Sequence, residues 1–526
     1  MKNISIVVLL LILGALIAVE CALPLGTAVK IGADEDFELS KVPLVLHGHG
    51  LYTEVWNDQP PLYAFLLSRL AIHFSYSILF PRLLTVGASL VLIGSFYLLA
   101  VRLGGMFVAT LASGFLIASP GFLELSSSAM QEVPALSPVL LCLCLLVVGP
   151  RIRWAAIETL AGVIFGVALQ FKLIGVMYLP LVFLVLWQRG HPAADSIRST
   201  LGGTQPHEAT SQACPVYKAP LHLLCIFTAA AAVTFLVVNS LAGAPLAAQV
   251  RQAWFSHFAA TQSFEYGSPS EHACEWLVLV KNWDVSVPAL VGVCLFAYKR
   301  AVLPHLPTPL RVFPVAWLAL TLIVFSIHKP WWAYYYIHNS LPLCLCAAFG
   351  WGFLIERTFL GRPGPTNRKP SCLAASRPPQ SRMLIIGLSA FAVCSAVWMT
   401  GRVYLQIESI RRAPRLYTAL VLKEIARFEP FTAFMFTDQP IYSFHSRIPL
   451  PPHLAMMSLK RFWSGDMSNA RLIEELESTK PGLMLLANDT RELPFQRLLD
   501  TEYRLVYEDS ANRLYAHRSI VKKARY

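Results

Sequence analysis

Long apolar runs separated by short polar stretches dominate the chain. They lie near 4–29, 82–101, 105–120, 133–149, 155–170, 173–188, 221–243, 285–298, 311–327, 335–355 and 383–400. Each approaches the length an α-helix needs to cross a hydrocarbon core of about 30 Å. The pattern therefore predicts about eleven transmembrane helices, the shorter ones with soft boundaries. The first run, MKNISIVVLLLILGALIAV, begins with a basic residue as a signal peptide would. Glu20 and Cys21 interrupt it and no clean small-residue cleavage site follows, which favours an uncleaved first span.

The segment PPLYAFLLSRLAIHF at 60–74 is also apolar, but it is short and contains Arg69. It reads as a helix lying along the membrane surface. Pro60 and Pro61 suit a first helical turn, where a missing N–H costs nothing. With this segment left out of the count and Lys2 placed in the cytoplasm, the loops alternate in charge. The cytoplasmic loops collect sixteen Lys and Arg, six of them between Arg357 and Arg382, and the opposite loops collect most of the acids. This is the asymmetry that orients membrane proteins. It places the loop 30–81 and everything after residue 400 on the extracytoplasmic side.

Residues 401–526 are no longer membrane-like. FTAFMF (431–436) and GLMLLA (482–487) read as buried strands, NARLIEELEST as an amphipathic helix, and YRLVYEDSANRLYAHRSI as a hairpin closed by a polar turn. The expected organisation is a membrane domain over 1–400 and a small α/β domain over 401–526. The stretches 189–219 and 357–382, rich in Pro, Gly, Ser and Arg, read as connectors.

Composition excludes a soluble protein. Only 14% of the 526 residues are charged, 55% are hydrophobic and the mean hydropathy is +0.54. A water-facing surface draws on about 25% charge. The net charge of +12 follows from loop orientation, so it implies no nucleic-acid partner. The eleven cysteines form no CxxC pair and no Cys/His metal spacing, and most sit inside apolar runs as small hydrophobes.

Candidate chemistry concentrates in residues 30–59, which hold six acids against two bases. As a bare charge run, Asp34-Glu35-Asp36 is a solvated face. GHGLYTEVWNDQPPLY then adds turn glycines, aromatic rings, amides and carboxylates, a mixture that suits sugar recognition. Lys172 lies between two apolar runs. Snorkelling to the interface is the plain explanation, while ionisable groups at membrane depth also mark functional sites. WWAYYY at 331–336 forms either an interfacial aromatic belt or the rings of a binding groove.

The stretch ADEDFELSKVPLVLHGHGLYTEVWNDQPPLYAFL resembles the first outer loop of GT-C-type glycosyltransferases. It is most similar to bacterial glycosyltransferase family 39 and its relatives, the protein mannosyltransferases and lipid A aminoarabinose transferases. The matching elements are Asp34-Glu35, Gly48 to Tyr52, and Asp58-Gln59-Pro60-Pro61-Leu62-Tyr63. Arg82-Leu83, Ser119-Pro120, Glu132 in SSSAMQEVPAL, Lys172 in LQFKLIGVMYLP, and HKPWWAYYYIHNSLPL follow in order. The likeness covers roughly residues 1–190, weakens towards 356 and is vague in the tail. Glu132 departs from the family's usual Asp.

The resemblance implies a GT-C fold with interfacial helices in the first outer loop, in a bacterial inner membrane. It implies inverting transfer of a sugar from a polyprenyl-phosphate donor to a hydroxyl of a lipid, glycan or protein. Asp34 matches the catalytic Asp, a general base. Glu35 would orient acceptor or donor, with Asp36 able to replace either, and Glu132 supplies a second acid. Lys172 and Arg82 would stabilise the departing phosphate, with His328 and Lys329 as headgroup or sugar ligands and Asp58 and Tyr63 in the donor-binding element. A divalent metal on His47, His49 and carboxylates stays open, because some relatives bind one and others work without. Two rivals remain: a flippase of lipid-linked sugar, although repeated halves and broken midplane helices are missing from the sequence, and a non-catalytic family member.

Overall fold

The computed structural model describes residues 2–150, 155–190, 218–261, 273–298, 308–356, 382–488 and 493–524. Of the expected connectors 189–219 and 357–382, residues 191–217 and 357–381 lie outside the described residues. Among those described, seven helices are long and apolar enough to cross a membrane, the hallmark of an integral membrane protein. They are Asn3–Cys21, Leu79–Ile117, Leu173–Gly190, Pro220–Leu241, Leu310–Ile327, Ala333–Ile355 and Ile385–Arg411. Glu132–Val148, Ala156–Phe171 and Trp283–Ala297 are shorter apolar helices packed into the same bundle.

Burial sorts these helices by position. Ala333–Ile355, buried at every position from Tyr336 to Trp351, forms the bundle's centre. Asn3–Cys21 and Ile385–Arg411 have few buried residues, and display apolar side chains such as Leu11, Ile386 and Val397 on the outside. A helix apolar all round with few protein contacts is suited to a lipid environment.

In α4 (Leu79–Ile117) the apolar run is a single 39-residue element in which Gly105 takes φ 83° and ψ 177°. Only glycine adopts that conformation cheaply. Arg82, near its start, bonds Leu25 and Ala28. Just past its end, Ser126 bonds Glu20 and the Ala129 N–H bonds Glu35. Both ends thus meet the same loop, so the chain turns back at Gly105, as the two predicted runs 82–101 and 105–120 require.

The loop after α1 (Lys2–Cys21) folds into two short helices, α2 (Glu35–Leu46) and α3 (Leu62–His73). Tyr63, Ala64, Leu67 and Ala71 form the buried face of α3, while Arg69 and Ile72 are exposed. The other elements near the site are α5 (Phe122–Ser127), α6 (Glu132–Val148), α7 (Ala156–Phe171) and α8 (Leu179–Gly190).

The final long helix runs over Arg382–Arg411, well past the expected end at 400. Arg402 makes this possible: its guanidinium donates to Asp284, Asn282 and the Ala118 carbonyl, so polar turns continue the helix with their charge satisfied. Beyond it lies a four-stranded sheet of order β1-β2-β4-β3, with β1 Met435–Thr437, β2 Leu483–Ala487, β3 Tyr503–Glu508 and β4 Asn512–His517. β1 and β2 pair in parallel, and β3 and β4 form the expected hairpin. β1 starts later than the predicted 431–436 because Glu429–Phe431 forms a 3₁₀ turn, where Pro430 has no N–H for a ladder. Arg518–Lys523 is helical rather than a continuation of the hairpin.

This C-terminal unit shares a hydrophobic core with the first loop. Leu39, Val42, Tyr63 and Leu67 of α2 and α3 pack in one cluster with Ile425, Phe444, Leu485 and Leu514. Main-chain bonds add to it, from Val29 N to Pro414 O (2.7 Å) and from Leu416 N to Thr27 O (2.8 Å).

At the bundle's centre the helices Trp283–Tyr298 and Tyr336–Ile355 approach closely through Gly292 and Gly350. A methyl group added at Gly350 would meet the Pro288 carbonyl oxygen at 2.0 Å. Gly350→Val should lower the thermal unfolding midpoint of the detergent-solubilised protein, at the ~1–3 kcal/mol cost of overpacking or above it. An unchanged midpoint would mean the helices do not cross so closely.

Candidate active site

The site begins with the helical period. Asp34 immediately precedes α2, and Asp34, Phe37, Glu38 and Lys41 fall at i, i+3, i+4 and i+7, on one face. Glu35, a step of about 100° further round, points the other way. Two adjacent acids therefore have different destinations.

Glu35 turns into the protein. Its carboxylate accepts from Arg82 Nε (2.8 Å) and Nη2 (2.9 Å), from the Ile31 N–H (2.7 Å) and from the Ala129 N–H (2.8 Å). Both side chains of the pair are fully buried. Burial alone would push the Glu35 carboxyl up, but Arg82 and the two backbone donors hold it below its ordinary range. Arg82 spends its remaining donors on Leu25 O (2.7 Å) and Ala28 O (3.0 Å). The pair pins the first loop to α4, and neither residue lines the cavity described next. This departs from the expectation that Glu35 orients a substrate and Arg82 holds its phosphate, because each already has its bonds filled by the other and by backbone.

The opposite face of α2 borders a cavity of about 290 Å³. Its walls hold Asp34, Glu38, Asp58, Gln131, Glu132, Lys172, Trp332, Tyr334, Tyr335 and, from the C-terminal unit, Met456, Met457 and Lys460. Three of its carboxylates are paired. Glu38 accepts from Lys41 (2.9 and 3.0 Å) and from Gln131 Nε2 (2.8 Å). Glu132, first residue of α6, pairs with Lys172, which caps the end of α7 and lies 5.1 and 5.0 Å from the ring centres of Tyr334 and Tyr335. Asp58 pairs with Lys460, 402 positions away in sequence. Asp34 has no cation at ion-pair distance among the described residues, and its neighbour is the Tyr334 hydroxyl.

The same residues differ in their electrostatics. Burial opposes ionisation of Asp58, yet Lys460, Lys41 and Lys172 hold its carboxyl below the usual range. In Glu38 burial prevails over Lys41 and pushes the carboxyl up. Lys460 resists the downward pull of burial because Asp58 holds its pKa up.

A second cavity of about 300 Å³ adjoins the first through Asp58, Gln59, Lys172, Tyr335 and Lys460. It is lined by Trp254, His257 and His328, whose two imidazoles stack at 5.2 Å. At Leu173 and Trp254 it meets an apolar groove of about 560 Å³ between α7 and the helix Lys218–Leu241, walled by residues such as Phe165, Leu169, Phe227 and Phe235.

Of the residues singled out from sequence, Asp34, Asp58, Glu132 and Lys172 line the first cavity, and His328 the second. Tyr63 is buried edge-on against Phe171 at 6.0 Å, and Lys329 lines neither cavity. Asp36 is turned to Lys30 (2.7 Å). Glu38, Gln131, His257 and Lys460 were not anticipated. Glu38 was legible as the residue one turn after Asp34; Lys460 carried no local signal. The histidines proposed for a metal do not converge: His47 Nδ1 bonds Pro43 O (2.7 Å) and His49 Nδ1 bonds Glu54 (2.7 Å). Among the described residues, no three His, Cys, Asp or Glu side chains form a metal-ligand group.

Comparison with solved structures shows the fold. The lipid A aminoarabinose transferase ArnT from Cupriavidus metallidurans, bound to undecaprenyl phosphate, matches with a TM-score of 0.61 at 15% identity over 97% of this chain and 98% of that one. Its apo state gives a TM-score of 0.60 at 14% identity over the same shares. The archaeal oligosaccharyltransferase AglB from Archaeoglobus fulgidus, in complex with an inhibitory peptide and a dolichol-phosphate, gives 0.55 at 12% identity over 92% of this chain and 69% of that one. Both belong to the GT-C superfamily, and this chain has the GT-C architecture. The sequence matches no family model and no curated protein.

Two outcomes follow. Glu35→Gln leaves a buried guanidinium without its charge partner and should cost about 3–5 kcal/mol of stability, read as a lowered unfolding midpoint; a midpoint like the parent's would show that the pair is not a structural pin. His257 and His328 are pushed down to about 4, mainly by burial and then by Lys460. Their unfolded-state pKa is about 6.5, so between those values the unfolded chain binds more protons and stability falls as pH drops. The midpoint should therefore decline from pH 7 to pH 4.5, and the double variant His257→Gln, His328→Gln should decline less steeply. Identical slopes would assign the decline to other groups.

Proposed function

We propose that the protein is an inverting glycosyltransferase that moves a sugar from a polyprenyl-phosphate donor to a hydroxyl of a lipid, glycan or protein. One arrangement carries the reading: an acid-lined cavity with an unpaired carboxylate adjoins a lysine-bearing cavity, which opens onto an apolar groove. A donor of this class has the same three parts in the same order. Its isoprenoid chain takes the groove, its phosphate faces Lys172, and its sugar reaches past Tyr335 towards Asp34. ArnT and AglB, which share the architecture, were solved with undecaprenyl phosphate and a dolichol-phosphate.

The reaction then needs little from the protein beyond placement and charge. The acceptor oxygen attacks the anomeric carbon from the side opposite the phosphate, and Asp34 takes its proton. The bond between the anomeric carbon and the phosphate oxygen breaks, and the phosphate leaves with the electron pair. Lys172 stabilises the growing charge, while Glu132 orients its ammonium. The excess of Lys and Arg in the opposite loops supports an extracytoplasmic site, with the cytoplasmic membrane of a bacterium as its location and residues 401–526 as an extracytoplasmic domain.

Given a panel of polyprenyl-phosphate sugars, the purified protein should release product with at least one. Asp34→Asn should reduce that turnover by about 10²–10⁴-fold while carrier binding persists. Turnover equal to the parent's would remove Asp34 as the base.

A further inference from the structure

The C-terminal unit reaches the site through one segment. Met456, Met457, Ser458 and Leu459 line the first cavity, and Lys460 lines both cavities. The helix Leu459–Trp463 is fixed in place from several sides. Trp463 stacks on Trp332 with ring centres 6.4 Å apart. Asp466 accepts from Ser256 Oγ (2.8 Å) and Trp56 Nε1 (3.2 Å). Arg461 Nη1 donates to His453 O (2.7 Å) and Met456 O (3.2 Å). Lys460 is thus held at a defined place between the two cavities, with an 87% buried side chain.

Among the described residues, the lysines lining the second cavity are Lys172 and Lys460, and its one carboxylate is Asp58. Each lysine already has a carboxylate partner, so the four charges balance. A phosphodiester adds one negative charge to that balance. The phosphomonoester left after transfer carries about −1.5 to −2 at neutral pH. Demand for cation therefore rises as the reaction proceeds, and Lys460 is the ammonium within reach besides Lys172. Asp58 keeps Lys41 nearby when Lys460 turns away.

We propose that Lys460 is a phosphate clamp supplied by the C-terminal unit, and that carrier phosphate displaces Asp58 as its partner. The proposal rests on the reading of the second cavity as the phosphate site. It makes the C-terminal unit part of the substrate-binding apparatus, and it makes Asp58 a competitor of the phosphate rather than one of its ligands.

The test is binding of undecaprenyl phosphate, with undecaprenol as the phosphate-free control, to the full-length protein in detergent. Lys460→Ala should weaken the phosphate about tenfold or more without changing the alcohol, and Lys460→Arg should recover most of the loss. Asp58→Asn, which removes the competing carboxylate, should tighten phosphate binding several-fold; a purely structural ion pair predicts no gain. If Lys172→Met loses the phosphate while Lys460→Ala binds as the parent does, the clamp is wrong and the transferase reading stands. If neither lysine variant weakens the phosphate, the transferase reading fails as well. Should Lys460→Ala not fold, Asp58→Asn decides: unchanged or weaker affinity overturns the clamp.

Discussion

A charged group withdrawn from water at the end of a membrane bundle must meet an opposite charge, or the desolvation penalty of several kcal/mol goes uncompensated. That requirement organises the region between α2 and the bundle. Arg82 is there for Glu35, Lys41 for Glu38, Lys172 for Glu132 and Lys460 for Asp58. Lys41 and Glu38 pair within α2, whereas the other three pairs join separate elements, so the electrostatics that hold the region together also shape its cavities. Asp34 stands outside the scheme. It is half-buried, flanked by a tyrosine and without a cation of its own among the described residues.

The helical period gives two adjacent acids different surroundings. Asp34 and Glu35 are neighbours in the chain, yet a single step round α2 sends one to the cavity and the other to Arg82. Glu35 thereby fixes the helix that presents Asp34. A buried ion pair of this kind adds little net stability over apolar packing, but breaking it is costly. Its value lies in fixing one orientation of the first loop.

The C-terminal sheet acts in the same way at larger scale. Its core is continuous with α2 and α3, and the segment 456–460 walls the first cavity and, through Lys460, the second, opposite residues of the first loop and the bundle. Binding sites at the seam between two units gain residues from both. Here the seam brings an apolar groove, a pair of lysines and a carboxylate-rich chamber into sequence.

Much of this was legible in the chain itself. Apolar runs announced the membrane helices, because a bilayer imposes a length and a composition that no soluble fold imitates. A short continuous apolar run announced β2 as a buried strand, and alternation closed by a polar turn announced the β3–β4 hairpin, since a strand exposes its two faces in strict succession. The ordered motifs around Asp34, Asp58, Glu132 and Lys172 marked four residues that the fold does bring to one cavity. Local pattern alone did not distinguish Asp34 from Glu35, for both are acids in one short run. Nor did it point to Lys460, whose partner lies 402 residues away. Sequence determined which segments leave water and where acids gather, because both depend on neighbours in the chain. Tertiary structure decided which acids stay unpaired and which lysines face them, because charge pairing depends on distances across the fold that chain order does not encode.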